Sequence, residues 1–561
     1  MTPADVPAGL RAEVEAWVGS DPDPQTRIEL TGLLEAGDTD AIEARFAHPL
    51  AFGTAGLRGE LGGGPARMNR LVVRRTTAGV ARWVSDRGAD AAAAGVVVGR
   101  DARHGSATFA ADTVDVLVAL GVTPHVIEEA LPTPITAFAV RHLGAAAGIV
   151  VTASHNPAAD NGYKVYAGDG SQIIPPDDRL IAEAAAAADV PAPDPEAAAA
   201  VPGIAGQILP AYRAAVLGML DPAAPRELRI AYTPLHGVGG KVTPGLLVEA
   251  GFEPPRVVAE QAEPDPDFPT VPFPNPEEPG ALDLAIALAE SAGADIVIAN
   301  DPDADRLAVA VPGRDGRWRA LTGDELGILL ADRRIEVTEG PGRLVATTVV
   351  SSSMLSKLAA DTGVAYEETL TGFKWIARAA RNRPGYHLVF GYEEALGYTI
   401  GDVVADKDGM SAALVVAEMA AIARARGGSL LDRLDELSAR LGVHLTSQWS
   451  RRAEGPDGIQ TLAAVVDSWR REPPTELGGH AVTEVIDLAK GDRGLPPTDG
   501  LVVRLGPHGR VVLRPSGTEP KLKAYLEVST EPTGMAGLAA ARAEAAVRLE
   551  ALRADVATRC S

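Results

Sequence analysis

The chain has 561 residues, which is too long for one hydrophobic core and predicts roughly three to five domains. Its formal net charge of −23 argues against the basic surface by which proteins bind nucleic acid. The single cysteine, Cys560, excludes a disulfide framework within the chain, and no apolar run reaches the ~18 residues that span a bilayer. We therefore expect a cytoplasmic protein that binds neither nucleic acid nor membrane.

Short apolar runs that end in glycine or a carboxylate alternate with Ala- and Leu-rich amphipathic stretches along most of the chain. The predicted strands are 95–99, 148–151, 228–232, 295–299, 344–350 and 388–391. The clearest predicted helices are 107–120, 282–292 and 409–425. This alternation is typical of α/β domains with mostly parallel sheets, in which ligands bind beyond the carboxyl ends of strands.

Composition changes divide the chain into four predicted domains. Residues 185–206 are rich in Ala, Pro and Asp, and residues 261–280 hold many prolines and acids and predict a long irregular loop. After about residue 445 the alternation of strands and helices changes. Two β-like runs, 501–505 and 511–513, flank a turn and predict a smaller α+β domain with an antiparallel element. The predicted domains are three α/β units, 1–206, 207–321 and 322–445, and an α+β domain, 446–561.

A serine stands at the end of the second predicted strand, in the segment TASHNP at 152–157. Turn-forming residues follow it at once, so the hydroxyl of Ser154 is placed to react as a nucleophile or to carry a phosphate. A phosphoserine brings about −1.5 to −2 charges and needs cationic neighbours; the candidates are Arg58, Arg100, Arg103 and Lys164. The alternative is an ordinary turn in which His155 and Asn156 bond the backbone. A Ser154–His155 pair is disfavoured, because neighbours on an extended segment point to opposite faces.

Another predicted strand end carries the segment NDPDADR. Its carboxylates stand at alternate positions: Asp301, Asp303 and Asp305. Such a trio can converge on one hard cation, and a site with few protein ligands and room for a phosphate oxygen favours Mg²⁺. An EF-hand is excluded, because Arg306 and Pro312 stand where its loop needs glycine and glutamate. The alternative is a solvated acidic turn, which the mutual repulsion of three carboxylates disfavours.

Three further loops combine glycine with groups that bind sugars or phosphates. The segment GYEEALG at 391–397 carries two glutamates that can accept hydrogen bonds from sugar hydroxyls, with an ordinary helix start as the alternative. The segment RPSGTEPK at 514–521 predicts an anion-binding turn of backbone N–H groups, hydroxyls and cations, or else a plain loop between strands. The segment TGFK at 371–374 is a cation-bearing turn that faces either a substrate or only solvent.

Taken together, these motifs resemble the signatures of the α-D-phosphohexomutase superfamily, which contains phosphoglucomutases and phosphomannomutases. They occur in the family's order and span most of the chain: 152–157, 301–306, 393–397 and 514–521. The segment AFGTAGLR at 51–58 and the form GYEEALGY most resemble the branch of phosphoglucomutase-2-type enzymes and phosphopentomutases. That branch accounts for Ala55, where other relatives carry serine. Tyr398 stands where some relatives have histidine, so a base role borrowed from that histidine is not carried over.

The resemblance implies three related α/β domains with mostly parallel mixed sheets, and a smaller C-terminal α+β domain that can rotate. It implies that Ser154 is phosphorylated in the active enzyme, with a phosphate oxygen completing the Mg²⁺ site. The implied metal ligands are Ser154, Asp301, Asp303 and Asp305. The implied catalytic residues are Ser154, His155, Arg58 as a contact of the phosphoserine, and Lys164 as general acid or base. The implied substrate-binding residues are Arg306, Thr371, Gly372, Lys374, Glu393, Glu394, Arg514, Ser516, Gly517, Thr518 and Lys521.

The implied activity is isomerisation by intramolecular phosphoryl transfer between glucose 1-phosphate and glucose 6-phosphate, in a monomer or a dimer. Glucose 1,6-bisphosphate is the expected intermediate and activator. A phosphopentose or a mannose phosphate is the nearest alternative substrate. Two other classes compete: a metal-dependent sugar phosphatase with Asp301 as nucleophile, and a sugar-phosphate-binding protein without turnover.

Overall fold

The computed structural model describes residues 6–53, 56–381, 383–453, 458–491, 495–515 and 521–561. These residues form two compact units. The first contains the chain up to Ala320 together with Gly397–Ala421, and the second contains Leu321–Leu396 together with the chain from Ile422 onward. The domain boundaries at 206, 321 and 445 stay predictions. Among the described residues, no helix is both long and apolar enough to cross a membrane.

The first unit begins with three helices and continues as an α/β layer. Its elements in chain order are α1 Ala8–Ser20, α2 Pro24–Ala36, α3 Thr39–Phe46, β1 Leu57–Glu60, α4 Arg70–Ser85, α5 Ala89–Ala94, β2 Val96–Arg100, α6 Ser106–Ala119, β3 Pro124–Ala130, α7 Thr133–Leu143, β4 Ala147–Val151, β5 Asp160–Ala167, α8 Asp177–Ala186, α9 Pro195–Ala199 and α10 Ala205–Leu217. The sheet has the strand order β1–β5–β4–β2–β3. Strands β2, β3 and β4 are parallel, whereas β5 and β1 extend the sheet antiparallel. Strand β4 is buried at every position, as expected for a strand covered on both faces.

A second sheet in the same unit repeats this plan. Its elements in chain order are β6 Ile230–Thr233, α11 Gly239–Glu249, β7 Arg256–Val257, α12 Asp283–Ala292, β8 Ile296–Asn300, β9 Leu307–Pro312 and β10 Trp318–Ala320. The strand order is β10–β9–β8–β6–β7; β7, β6 and β8 are parallel, and the pairings of β9 with β8 and with β10 are antiparallel. Residues 262–282 contain no helix or strand, which confirms the predicted irregular loop.

The second unit contains a smaller parallel layer. Its elements are α13 Gly323–Val337, β11 Arg343–Thr348, α14 Met354–Thr362, β12 Ala365–Thr369, α15 Phe373–Ile376 and β13 His387–Glu393. Strand β11 pairs in parallel with both β12 and β13. The chain then enters the first unit with β14 Gly397–Ile400 and the start of α16 Gly409–Ala425, and α17 Leu430–Leu441 follows in the second unit. Helix α16 is buried at every position from Gly409 to Ala421, and Asp406, Lys407 and Asp408 just before it are buried as well.

The C-terminal part of the second unit is an antiparallel sheet with two helices. Its elements are β15 Val443–Arg452, α18 Gly458–Arg471, β16 Glu476–Leu477, β17 His480–Ala481, β18 Glu484–Asp487, β19 Leu501–Arg504, β20 Gly509–Pro515, β21 Lys521–Thr530 and α19 Gly534–Arg559. The strand order is β15–β21–β20–β19–β18, and every pairing is antiparallel. The predicted α/β class with a C-terminal α+β part is confirmed.

Candidate active site

Ser154 lies three residues beyond β4, where the chain leaves the sheet. Its φ is 53°, a left-handed conformation that non-glycine residues rarely adopt. Thr152 fixes this turn, because its Oγ1 accepts a hydrogen bond from the N–H of Ser154 at 2.8 Å. The turn brings Ser154 Oγ to 3.2 Å from His155 Nδ1. The expectation that these two side chains point to opposite faces is therefore wrong, since the segment is not extended at Ser154.

The three predicted carboxylates lie in the turn between β8 and β9. Their oxygens come within 4.8 Å of one another, and the residues are at most 1% exposed. The turn is closed by the N–H of Arg306, which donates to Asp301 Oδ1 at 3.0 Å. Ser154 Oγ donates to Asp301 Oδ2 at 2.9 Å. The structure thus joins the serine and the carboxylates, which the sequence placed at the ends of two separate strands.

Two lysines face the carboxylates. Lys164, on β5, places its Nζ 2.7 Å from Asp303 Oδ2 and 2.9 Å from Asp305 Oδ2. Lys407 Nζ lies 3.2 Å from Asp305 Oδ2. Sequence reasoning missed Lys407. Its signal was a lysine set between two aspartates immediately before the fully apolar start of α16, where a charged group has to be buried and paired.

Burial and charge oppose one another in this cluster. Burial, followed by repulsion from Asp303 and Asp305, raises the pKa of Asp301 well above its usual value. Burial also works to raise the pKa of Asp305, but Lys164 and Lys407 more than offset it and lower that pKa. Burial works to lower the pKa of Lys164, but the carboxylates of Asp303 and Asp305 outweigh it and raise that pKa. Lys164 is therefore an ammonium at neutral pH.

The cluster has the donor set of a divalent cation site. Within the described part of the chain, Asp303 Oδ1 and Asp305 Oδ1 are buried and accept no hydrogen bond. A buried polar atom without a partner is costly and is uncommon in native proteins. Magnesium ions favour carboxylate oxygens together with phosphate oxygens and water. The residues therefore fit Mg²⁺, to which Asp301, Asp303 and Asp305 would each offer an oxygen.

The predicted cationic neighbours of Ser154 divide into two groups. Arg58, on β1, is partly buried and donates from Nη1 to Asn156 Oδ1 at 3.2 Å; burial lowers its pKa, which the charge of Asp303 partly opposes. Arg103 instead donates to backbone carbonyls of the serine loop. Arg100 donates to the carbonyls of Asp101 and Glu128. Both guanidiniums thus bind backbone carbonyls, and Arg103 binds those of the loop that carries Ser154; a contact of either arginine with a phosphate stays a prediction.

His155 lies partly buried beside the serine hydroxyl. Burial, followed by the charges of Arg306 and Arg58, lowers the pKa of its imidazole well below the usual range. The ring is therefore neutral at neutral pH and can accept a proton. Arg306 lies next to the carboxylates, with its Nη1 3.6 Å from Glu277 Oε2.

In the second unit, the two predicted glutamates lie at the end of β13. Glu393 Oε1 accepts a hydrogen bond from the N–H of Gly372 at 2.7 Å, so the segments 371–374 and 391–397 are in contact. Ser351 Oγ donates to Glu394 Oε2 at 3.0 Å. Burial, followed by Glu393 and Asp324, raises the pKa of Glu394 to about 7. Tyr398 is a buried residue of the first unit.

The predicted phosphate loop joins β20 to β21. The register pairs Pro515 with Leu522, which places Arg514 and Lys521 at the two ends of the loop. Ser516, Gly517 and Thr518 lie outside the described residues, as does Ala55.

Four family models match consecutive parts of the chain. Those of the α/β/α domains I, II and III of phosphoglucomutase/phosphomannomutase match residues 49–191, 210–314 and 322–441, and that of the C-terminal domain matches residues 462–545. The chain belongs to the phosphoglucomutase/phosphomannomutase family. It is a mutase of the phosphohexomutase superfamily, which confirms the predicted resemblance and reaction class.

Curated relatives carry different substrate names. A probable phosphomannomutase of Haemophilus influenzae is 40% identical over 82% of this chain and 93% of its own length. A probable phosphoribomutase of Schizosaccharomyces pombe is 37% identical over 92% of this chain and 93% of its own length. A phosphoglucomutase of Staphylococcus epidermidis is 33% identical over 86% of this chain and 91% of its own length. The family therefore fixes the kind of reaction and leaves the sugar to be proposed.

The raised pKa of Glu394 predicts a pH-dependent stability. Because this pKa of about 7 exceeds the usual 4.5, the contribution of the neutral carboxyl is fully present below pH 4.5 and is lost as the pH rises through 7. We expect Glu394→Gln, which stays neutral, to equal the wild type in stability near pH 4.5 and to be the more stable protein at pH 8. Chemical denaturation across this pH range measures the difference, and a difference independent of pH would contradict the assignment.

Proposed function

We propose that this mutase interconverts glucose 1-phosphate and glucose 6-phosphate in the cytoplasm, as a monomer or a dimer, with Ser154 as the phosphoryl carrier. The observation that carries the proposal is the contact of 2.9 Å between Ser154 Oγ and Asp301 Oδ2. This contact places a buried hydroxyl beside three carboxylates. Two of them, Asp303 and Asp305, have a buried oxygen that accepts no hydrogen bond. A serine that only begins a turn needs neither the carboxylates nor the two lysines that face them.

Mg²⁺ held by Asp301, Asp303 and Asp305 would supply positive charge that stabilises the transferring phosphoryl group. Arg58 is proposed to add a fixed positive charge beside Ser154. Its bond to Asn156, which belongs to the same loop, orients the guanidinium towards the serine side of the site. Preorganised charge of this kind acts strongly where water is excluded, and Ser154 is 1% exposed.

Each half-reaction moves one phosphoryl group and one proton in opposite directions. When phospho-Ser154 reacts, the bond from Oγ to phosphorus breaks, a bond from a sugar oxygen to phosphorus forms, and the proton of the sugar hydroxyl is passed to Oγ. The product is glucose 1,6-bisphosphate. After the sugar turns round, Ser154 Oγ takes the other phosphoryl group and gives up its proton. We assign this proton transfer to Lys164, an ammonium at neutral pH, and to His155, a neutral imidazole.

Sugar and phosphate binding are assigned to loops of the second unit and to Arg306. The glutamates Glu393 and Glu394 are proposed to form hydrogen bonds with sugar hydroxyls; an ionised carboxylate accepts them, and Glu394, whose pKa is about 7, can also donate one when it is protonated. The segment of Thr371, Gly372 and Lys374 is held by Glu393 through the N–H of Gly372 and is proposed to orient the sugar. The phosphate that does not react is assigned to Arg514, Ser516, Gly517, Thr518 and Lys521.

A phosphopentose is the second candidate substrate. The relative named phosphoribomutase is matched over 92% of this chain, against 86% for the relative named phosphoglucomutase. Mannose phosphate is the third candidate substrate, because a relative named probable phosphomannomutase is 40% identical to this chain.

Magnesium ions are expected to stabilise the folded protein. A cation that binds only the folded state at about 100 times its Kd adds about 2.7 kcal/mol. We expect Mg²⁺ to raise the melting temperature of the wild type and to have little effect on Asp303→Asn. The matched control is Asp115→Asn, which alters another buried carboxylate, one that faces Arg74 at 2.5 Å. An equal response to Mg²⁺ in the two variants would contradict the proposed metal site.

Ser154→Ala is expected to lower mutase turnover by roughly 10⁴-fold or more, because the phosphoryl carrier is removed. Ser171→Ala is the matched control, since Ser171 is also 1% exposed and its Oγ donates to Asp169 at 2.7 Å. The assay follows glucose 6-phosphate formed from glucose 1-phosphate, with released inorganic phosphate measured in parallel. Full mutase activity in Ser154→Ala would contradict the role of Ser154 as carrier. Net release of inorganic phosphate that is unaffected by Ser154→Ala and requires Asp301 would favour a phosphatase instead.

The substrate is tested by comparing kcat/KM for glucose 1-phosphate, mannose 1-phosphate and ribose 1-phosphate, each with its own bisphosphate as activator. We expect the highest value for glucose 1-phosphate. A kcat/KM for ribose 1-phosphate tenfold higher than that for glucose 1-phosphate would replace the proposed substrate by a phosphopentose and would leave the role of Ser154 intact.

A further inference from the structure

An irregular, proline-rich loop, residues 262–280, packs against the serine loop, residues 152–160. Although it contains no helix or strand, it is tied together by its own backbone: the N–H of Phe268 donates to the carbonyl of Asp265 and the N–H of Val271 to that of Phe268. The side chains of Phe268 and Val271 form a buried apolar cluster with Leu235, and Ala158 of the serine loop packs on it. The proline-rich loop is therefore an ordered support and not a loose surface connection.

The serine loop itself is held by one buried guanidinium. Arg103 Nη2 donates to the carbonyls of Ser154 at 2.7 Å and Asn156 at 2.6 Å, and its Nη1 to those of Pro157 at 2.8 Å and Asp160 at 3.1 Å. These four bonds hold the loop from the left-handed residue Ser154 onward to Asp160. The carbonyl of Ser154 is one of the four, so a shift of the guanidinium moves the backbone that carries the hydroxyl.

Besides the four carbonyls, two side chains hold that guanidinium: Asp101, whose Oδ2 lies 3.4 Å from Arg103 Nε, and a phenylalanine of the proline-rich loop. Arg103 Cζ lies over the ring of Phe268, 4.9 Å from its centroid, and the arginine side chain is 1% exposed. Cation–π attraction is strongest when the cation is desolvated. Phe268 has a φ of 47° and is 4% exposed. A phenylalanine in the left-handed region is strained, and it persists only where its surroundings hold it there.

We propose that Phe268 is a positioning residue for phosphoryl transfer: it fixes the guanidinium of Arg103, which in turn fixes Ser154. This inference rests on the proposed role of Ser154 as phosphoryl carrier. Two other residues of the proline-rich loop also contact residues beside Ser154. The ring of Phe273 meets that of His155 edge to face at 6.2 Å, and Glu277 faces Arg306. Transfer requires reacting atoms held at about 3–3.5 Å and in line. A displaced serine therefore slows transfer, while groups that bind the sugar are unaffected.

The chain contains a matched control for Phe268. Phe252 is 3% exposed and lies beneath Arg226, whose Cζ is 5.3 Å from the ring centroid. Arg226 also binds backbone carbonyls, those of Asp221 and Ala250 among them. In both pairs the phenylalanine is buried, and the arginine binds backbone carbonyls and one carboxylate, Asp101 for Arg103 and Glu418 for Arg226. The Arg226 side chain is 17% exposed against 1% for Arg103, and only Arg103 holds the serine loop.

The experiment compares Phe268→Leu with Phe252→Leu in the full-length enzyme. We expect Phe268→Leu to lower kcat by roughly 10- to 100-fold with KM changed less than about 2-fold. We expect Phe252→Leu to keep both constants within about 2-fold of the wild type, with a similar loss of melting temperature in both variants. Phosphate uptake from glucose 1,6-bisphosphate, followed by intact mass in a single turnover, should slow in Phe268→Leu to the same extent as kcat.

A second pair of variants covers the case in which Phe268→Leu does not fold. Arg103→Lys keeps the charge but cannot bind four carbonyls, and it is expected to lower kcat as Phe268→Leu does, whereas Arg226→Lys is not. Equal kcat values within each matched pair, or a Phe268→Leu effect confined to KM, would overturn the positioning role. If Ser154→Ala is inactive while the matched pairs are equal, only this inference fails. If Ser154→Ala is active, both this inference and the proposed function fail.

Discussion

The site depends on the balance of charge around Asp301, Asp303 and Asp305. Two ionised carboxylates about 4–5 Å apart repel by about 3–4 kcal/mol at an effective dielectric constant of 20, and this repulsion adds to burial in raising the pKa of Asp301. The contacts of Lys164 with two of the carboxylates and of Lys407 with one supply attractions of the same order. The lysines thus offset much of the negative charge and still leave Asp303 Oδ1 and Asp305 Oδ1 without a hydrogen bond, although Arg306 Nε lies 4.0 Å from the latter. A divalent cation would complete this arrangement.

The need to offset the charge of these three carboxylates explains several features of the first unit. The antiparallel strand β5 lies next to β4, and the pairing of Lys164 with Val150 places the lysine beside the strand that leads to Ser154. The second sheet repeats the plan of the first, and its β8 ends at the carboxylates. The segment Gly397–Ala421 belongs to the first unit and carries Lys407, which also contacts Asp406 there. Three separate parts of the chain therefore meet at one buried cluster of charge.

The sequence predicts most of the fold, because its parallel strands are short continuous apolar runs, and β2, β4, β6, β8, β11 and β13 lie where such runs occur. It did not predict β5, whose residues DNGYKVYA mix polar and apolar types, nor the helices before β1. Ser154 and the carboxylates were recognisable because each follows an apolar run. Arg103 was recognised only as a cation near Ser154, and Lys407 was overlooked although it stands between two aspartates. Phe268 carried no signal, and the roles of all three depend on contacts between segments distant in sequence. The left-handed turn at Ser154 was also missed, and it changes the relation of His155 to the hydroxyl.

The central claim is that the hydroxyl of Ser154 carries a phosphoryl group during turnover. The most direct measurement is the intact mass of the purified chain before and after incubation with glucose 1,6-bisphosphate, followed by peptide mapping. The account predicts a single phosphate adduct that maps to Ser154 and is discharged when a sugar monophosphate is added. An adduct that maps to another residue, or a fully active enzyme that never gains phosphate, would contradict it.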